Sequence, residues 1–109
     1  MPDFAVRLAA SVAAVADPMA VLLFGSWAKG RADRHSDVDL VVVLSDRPTT
    51  ALSAALQDAV HVVPMRVDLL VWTAADVGMA RADPYGFRGS VLAHSVLLYG
   101  ALPQAGRQA

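Results

Sequence analysis

The sequence predicts an α/β domain: a small mixed β-sheet of three to four strands, with helices packed mainly on one face and the functional site at the exposed edge of the other. A wholly apolar run, residues 19–24, ends at a glycine, as expected of a strand covered on both faces. Residues 37–44 and 65–72 alternate with the two-residue period of a strand. Apolar residues at helical spacing precede the first segment and separate the last two.

Local signals place the remaining elements. Threonines that can cap a helix precede two of the periodic stretches, and Asp-Pro pairs interrupt the chain at residues 17–18 and 83–84. The predicted elements are a first helix capped by Asp3 and stopped at Asp17, a second helix capped by Thr49 or Thr50, a third from Thr73 to Arg81, a fourth from Asp83 to about His94, and a small edge strand over residues 96–99.

Composition indicates one domain over residues 1–101 and a flexible tail over residues 102–109. Apolar residues make up 56% of the 109 residues, enough for a core without disulfides or a structural metal. The absence of cysteine excludes a thiolate nucleophile and a Cys-containing zinc site. A formal net charge of -1 argues against binding to duplex nucleic acid. No apolar stretch approaches the roughly 20 residues of a membrane-spanning helix, so we expect a soluble protein. The absence of cysteine suits a reducing compartment, so we expect the protein in the cytoplasm.

Three features carry the candidate chemistry. Gly25 and Ser26 follow the first strand, Asp37 and Asp39 begin the second, and Asp68 lies within the third. The two-residue period puts Asp37 and Asp39 on one face of their strand. Glycine lets the backbone approach a phosphate closely, and a serine at the start of a short helix offers hydroxyl and N–H donors. We therefore expect Gly25 and Ser26 to hold the triphosphate of a nucleotide.

The paired carboxylates predict a divalent cation. Two aspartates one residue apart near a core repel each other, and their desolvation costs several kcal/mol unless a cation lies between them. Carboxylate and triphosphate oxygens are hard ligands that suit Mg²⁺ or Mn²⁺. In a two-metal site such ions contact both the attacking and the leaving oxygen. Asp68, on a neighbouring strand, is expected to ligate the second ion, to take the proton of the acceptor, or to do both.

Residues 25–40, GSWAKGRADRHSDVDL, resemble the signature of the minimal nucleotidyltransferases in the DNA polymerase beta superfamily. The segment VDLL at residues 67–70 matches the place of that family's third carboxylate. The resemblance implies a nucleotidyltransferase fold and ATP as the substrate with Mg²⁺. It further implies the site residues: catalytic and metal-binding Asp37, Asp39 and Asp68, and nucleotide-binding Gly25, Ser26, Lys29 and Ser36. Lys29 replaces the arginine of many relatives and so lacks the bidentate fork, and Arg31 stands where an acidic residue is common.

The function that this resemblance implies is transfer of AMP from ATP to a hydroxyl, a tyrosine of a helical HEPN-type toxin, by a protein that acts as the antitoxin. The size of the chain agrees, because 109 residues leave no second domain to enclose a small acceptor. Two alternatives stay open. One is a nucleotidyltransferase that modifies an antibiotic or another small molecule, and the other is a non-catalytic antitoxin that neutralises its partner by binding alone.

Other residues have simpler interpretations. Gly25 and Gly30 have P-loop spacing, but Arg31 and Ala32 replace the required Lys-Ser/Thr, which excludes Walker-type ATP binding. The three histidines have no ligand spacing and are interpreted as structural or solvated. These histidines are His35, His61 and His94. Lys29, Arg31 and Arg34 form a basic cluster that could contact the triphosphate. The candidates for packing or for a protein interface are Trp27, Trp72, Tyr85, Phe87 and Arg88.

Overall fold

A computed structural model describes residues 2–33 and 35–103. The predicted role of Arg34 and most of the predicted tail, residues 104–109, lie outside the described residues. The described residues form four α-helices, four strands and one 3-10 turn. In chain order these are α1 (Asp3–Ala16), β1 (Ala20–Phe24), β2 (Val38–Leu44), α2 (Thr50–Ala59), the 3-10 turn (Val60–Val62), β3 (Val67–Thr73), α3 (Ala74–Ala82), α4 (Phe87–Ala93) and β4 (Val96–Gly100).

The strands form one mixed sheet in the order β3-β2-β1-β4. β1 pairs antiparallel with both β2 and β4, whereas β2 and β3 are parallel. Parallel neighbours need a long crossover, and α2 with the following 3-10 turn supplies it. The predicted α/β class and mixed four-stranded sheet are confirmed.

The helices are divided between the two faces of the sheet, whereas the sequence predicted that they pack mainly on one face. α1 and α2 cover the face formed by residues such as Val21, Leu40 and Val42. α3 and α4 cover part of the opposite face, where Val77 of α3 and Val91 of α4 pack on an apolar patch of the strands. The physical reason is that the strands are apolar on both faces there, so both must be covered. The strand residues of this second patch are Ala20, Leu22, Val41, Val43 and Trp72.

The helix boundaries mostly follow the predicted caps. Thr49 caps α2, because its hydroxyl accepts from the Leu52 N–H at 3.1 Å. Asp17 ends α1 in the left-handed conformation at a φ of 45°. Asp3, however, is the first helical residue of α1 and not its cap, since Pro2 occupies the capping position without a side-chain hydrogen bond.

The predicted start of the fourth helix at Asp83 was wrong by four residues. Residues 83–86 form a turn in which the Gly86 N–H donates to the Asp83 carbonyl at 3.1 Å, and α4 begins at Phe87. The turn folds back onto α4 at Gly89, where an added Cβ would overlap the Asp83 carbonyl and lie 2.5 Å from the Cα of Pro84. Glycine at this position therefore lets the turn and the helix pack together.

The start of the predicted tail contacts the domain. Leu102 packs against the second apolar cluster, and the Pro103 carbonyl accepts a hydrogen bond from Arg81 at 2.6 Å. Across the described residues, none of the helices has the length and apolar character required to cross a membrane.

Asp76 is a buried carboxylate that holds the start of α3. It is 3% exposed and forms a capping box with Thr73. The pKa of Asp76 is lowered chiefly because the Thr73 backbone N–H donates to its Oδ2 at 2.9 Å, with a further contribution from Arg88 at 3.5 Å, while burial acts in the opposite direction. Asp76 thus ties β3, α3 and α4 together.

Replacing Asp76 with alanine is expected to lower the free energy of unfolding at pH 7 by about 1–3 kcal/mol, because the capping box and the ion pair with the half-exposed Arg88 are lost. A lowered folded-state pKa contributes stability above the unfolded value of about 3.9 and loses it as pH falls through the folded value. The difference between variant and wild type should therefore shrink at pH 3. Urea unfolding at both pH values measures it, with the exposed Asp46→Ala as control. Equal losses for the two variants would contradict this role.

Candidate functional site

The sheet brings the predicted carboxylates into one row. Asp39 of β2 is aligned with Asp68 of β3 on one side and with Phe24 of β1, the residue before Gly25, on the other. All lie on the face that α3 and α4 cover only in part, because Leu70 and Phe24 belong to the apolar cluster of that face. Asp37 lies one residue before β2, which begins at Val38, and its carboxylate is near enough to Asp39 to raise the pKa of that carboxyl group. The predicted common face is confirmed for Asp39 and Asp68, whereas the predicted start of the strand at Asp37 was wrong by one residue.

Gly25 is in contact with the central carboxylate of this row. Its φ is 74°, a left-handed conformation that favours glycine. A Cβ at this position would overlap Oδ2 of Asp39 and lie 3.3 Å from its Cγ. The glycine therefore brings the backbone of the turn against the carboxylate, which the sequence argument, concerned with phosphate alone, did not predict.

The predicted short helix after Gly25 is a single helical turn. The Arg31 N–H donates to the Ser26 carbonyl at 2.9 Å, and the Gly30 N–H donates to the Trp27 carbonyl at 3.4 Å. With Gly30 at a φ of 70°, this is the Schellman arrangement that ends a helix. Gly30 thus has a structural role, and Ser26 stands exposed at the beginning of the turn.

Trp27 fixes this turn to the rest of the domain. Its ring packs edge-to-face on Phe4 of α1, with centroids 4.6 Å apart, and its Nε1 donates to the Ser36 carbonyl at 3.4 Å. Of the two predicted roles for Trp27, packing or interface, the structure therefore shows packing. The bond to Ser36 links the Gly-Ser turn to the segment that leads into Asp37.

Ser36 and Asp33 hold that segment. The Asp33 N–H donates to the Ser36 hydroxyl oxygen at 3.0 Å, and the Ser36 N–H donates to the Asp33 carbonyl at the same distance. The His35 N–H donates to the Asp33 carboxylate at 2.8 Å. The hydroxyl of Ser36 thus contacts its own loop, and its predicted contact with the nucleotide stays a prediction.

The electrostatics of the row are those of crowded anions. Burial raises the pKa of Asp39, and the nearby carboxylates of Asp68 and Asp37 raise it further. Asp68 is paired with the exposed Arg66, whose Nε lies 3.3 Å from its Oδ1. Within residues 2–33 and 35–103, no three histidine or acidic side chains are grouped closely enough to hold a metal ion. The donor set nevertheless consists of hard carboxylate oxygens, the ligands that Mg²⁺ prefers.

Two clefts lie on this side of the sheet, one lined by Gly25 and the other by Leu70, and Phe87 of α4 lines both. We call the first the turn cleft. It has a volume of about 170 Å³, and its lining residues are Phe24, Gly25, Lys29, Phe87, Ser90, Val91 and His94. We call the second the β3 cleft. It has a volume of about 710 Å³, and its lining includes Leu70, Trp72, Met79, Asp83, Phe87 and Arg88.

The turn cleft contains residues that the sequence argument missed. Lys29 was predicted to bind the nucleotide, but Ser90 was not considered and His94 was interpreted as structural or solvated. Both lie more than 60 positions from Gly25 along the chain, so no local spacing could associate them with the Gly-Ser turn. Only the packing of α4 beside β1 brings them together.

Comparison with known proteins agrees with this geometry. Residues 8–101 match the family described as "Polymerase beta, Nucleotidyltransferase". No curated protein matches the chain. A solved structure described as the crystal structure of a toxin-antitoxin with AMP-PNP is similar to it, with a TM-score of 0.59 and 17% sequence identity over 88% of this chain and 73% of the other. At that identity the likeness shows a shared fold.

The family match extends across the Gly-Ser turn, the paired aspartates and Asp68. It therefore agrees with the resemblance first seen in residues 25–40. The chain belongs to the polymerase beta nucleotidyltransferase family.

Proposed function

We propose that this protein is a Mg²⁺-dependent nucleotidyltransferase that moves AMP from ATP to a hydroxyl of a partner protein, a HEPN-type toxin for which it acts as the antitoxin. The observation that carries the proposal is the row of carboxylates on β2 and β3, aligned with the Gly-Ser turn of β1. Nucleotidyl transfer requires a turn that binds the phosphates and acidic metal ligands close beside it.

The cation would be held by Asp37 and Asp39, with Asp68 as the third ligand. The raised pKa of Asp39 reflects a local excess of negative charge, which a cation would neutralise. Once bound, divalent metal supplies charge neutralisation for the triphosphate and for the attacking and leaving oxygens. Asp68 is free to turn from Arg66 toward the cation, because that ion pair is exposed and such pairs contribute about 0–1 kcal/mol.

The remaining residues position the reactants. Gly25 and Ser26 present backbone N–H groups and a hydroxyl to the phosphates, and the Lys29 ammonium adds a positive charge. Asp68 accepts the proton of the acceptor hydroxyl while the oxygen of that hydroxyl bonds to the α-phosphorus. The bond from the α-phosphorus to the bridging oxygen breaks, and pyrophosphate leaves with the electron pair.

The β3 cleft supports a protein acceptor. It begins at Leu70, two residues from Asp68 on the same face of β3. Large apolar side chains stand exposed around it: Tyr85 is 98% exposed, Phe87 68% and Met79 50%. Aromatic residues and methionine are enriched at protein contacts, so this rim suits a partner that delivers a hydroxyl to Asp68.

The choice of a toxin as partner rests on family inference. Minimal nucleotidyltransferases that this chain resembles occur with HEPN-type toxins, and the similar fold described above comes from a toxin-antitoxin structure. Among the interface candidates predicted from sequence, Tyr85 and Phe87 are available for such contact. Arg88 is engaged with Asp76, and Trp27 is packed on Phe4.

Nucleotide binding is expected to need the cation. In calorimetric titrations the wild type should bind ATP with Mg²⁺ but at least about tenfold more weakly with EDTA, because carboxylates and triphosphate repel without a cation between them. Asp37→Asn combined with Asp39→Asn should weaken Mg²⁺-ATP binding to a similar extent. The exposed Asp58→Asn serves as the matched control. ATP affinity that chelation and the double variant leave unchanged would remove the metal from the mechanism.

Asp68→Asn is expected to preserve Mg²⁺-ATP binding within about threefold and to lower AMP transfer about a hundredfold or more, as for loss of a general base or of a metal ligand on the acceptor side. The assay incubates the protein with ATP, Mg²⁺ and the protein encoded beside it in the genome, then measures the added AMP mass on that neighbour. Arg66→Gln, which removes the ion-pair partner but keeps the carboxylate, is the control.

Three results of this assay would contradict the proposal. Equal transfer by the wild type and Asp68→Asn would make Asp68 a bystander. An unmodified neighbour together with AMP transfer to a free small molecule would favour the antibiotic-type enzyme. A neighbour that is neutralised without modification would favour an antitoxin that acts by binding alone.

A further inference from the structure

The carboxylate row and the Gly-Ser turn lie in a fixed order across the sheet. Asp68, Asp39 and the Phe24–Gly25 position lie on three adjacent strands, in that order. Nucleotidyl transfer is an in-line displacement, in which the attacking and leaving oxygens stand on opposite sides of the phosphorus. With the acceptor oxygen at Asp68, on the proposed function, the leaving group departs over Gly25. The turn cleft begins there.

The charge of the turn cleft suits a leaving pyrophosphate. Among the described residues, its ionisable lining residues are Lys29 and His94, both of which carry positive charge when protonated, and Ser90 adds a hydroxyl. The β3 cleft, in contrast, contains both Asp83 and Arg88. Of the two clefts, the turn cleft is therefore the one whose charges favour an anion.

The ring of His94 is held in a defined orientation. Its Nδ1 lies 2.9 Å from the Ser90 carbonyl oxygen, and because a carbonyl only accepts, Nδ1–H is the donor. The other ring nitrogen, Nε2, donates to an anion only when the imidazole is protonated. His94 is the C-cap of α4, so its ring stands at the end of that helix, where Ser90 and Val91 of α4 line the same cleft.

We propose that α4 forms the second wall of the terminal-phosphate site, with His94 as a ligand of the β- and γ-phosphates of ATP and of the pyrophosphate that leaves, and with Ser90 beside it. His94 acts across the cleft from Lys29 and Gly25. The Gly-Ser turn then holds the triphosphate from one side and α4 from the other. This inference rests on the proposed function and adds residues that the signature in residues 25–40 does not contain.

Calorimetry with magnesium pyrophosphate and with Mg²⁺-ATP tests this inference, since pyrophosphate has no nucleoside. His94→Gln should weaken both ligands by the same factor, about tenfold or more, as for a lost hydrogen bond to a charged group. His94→Lys, which keeps a cation on a flexible chain, should bind both within about threefold of the wild type. His61→Gln, an exposed histidine on the 3-10 turn, should change neither affinity. Thermal unfolding of each variant checks that the fold is intact.

The outcomes separate this inference from the proposed function. His94→Gln that binds pyrophosphate as tightly as the wild type overturns the inference, as does a loss confined to ATP, which would place His94 on the nucleoside. His94→Lys that binds as weakly as His94→Gln overturns the charged contact. A wild type that binds ATP but not pyrophosphate also overturns the inference and leaves the proposed function standing. A wild type that binds neither ligand overturns both.

Discussion

The repulsion between carboxylates at the parallel junction of β2 and β3 is the constraint on which the rest of the site depends. The register places Asp39 directly beside Asp68, and Asp37 lies just before the start of β2. Water or a cation must compensate for this crowding, and the pKa of Asp39 is raised in consequence of its burial and of these neighbours. Sequence features on both sides support the arrangement. α2 makes the parallel pairing possible, and Gly25 leaves room for the Asp39 carboxylate.

Two aspartates of the same domain show how environment decides the state of a carboxyl group. Asp76 is the more buried, yet its pKa is lowered, because Thr73 donates to it and Arg88 lies beside it. Asp39 has neither kind of partner, since the ion pairs of the described residues include Asp68 and Asp76 but not Asp39. Asp76 stabilises the helices that cover one face of the sheet, whereas the crowding that raises the pKa of Asp39 opposes folding when this carboxyl group is charged. Such local conflict is expected at functional positions.

Much of this architecture could be predicted from the sequence because its signals are local. Two-residue alternation placed Asp39 and Asp68 on one face, and threonine caps located the starts of α2 and α3. Other features depend on contacts between distant segments. The division of the helices between the two faces, the late start of α4 behind its Asp83–Gly86 turn and the position of His94 beside Gly25 all arise from packing. The periodicity of one segment does not contain that information.

The stability of Asp39→Asn tests the central claim most directly, because the claim is that charge at this position destabilises the metal-free fold. A raised folded-state pKa favours the folded wild type below the unfolded value of about 3.9, and that advantage is lost as pH rises through the folded value. Metal-free Asp39→Asn should therefore unfold a few degrees above the wild type at pH 7, and this gain should vanish near pH 3. Saturating Mg²⁺-ATP should raise the midpoint of the wild type but not that of the variant. A variant that is less stable at pH 7 without metal, or that Mg²⁺-ATP stabilises as much as the wild type, would contradict the account.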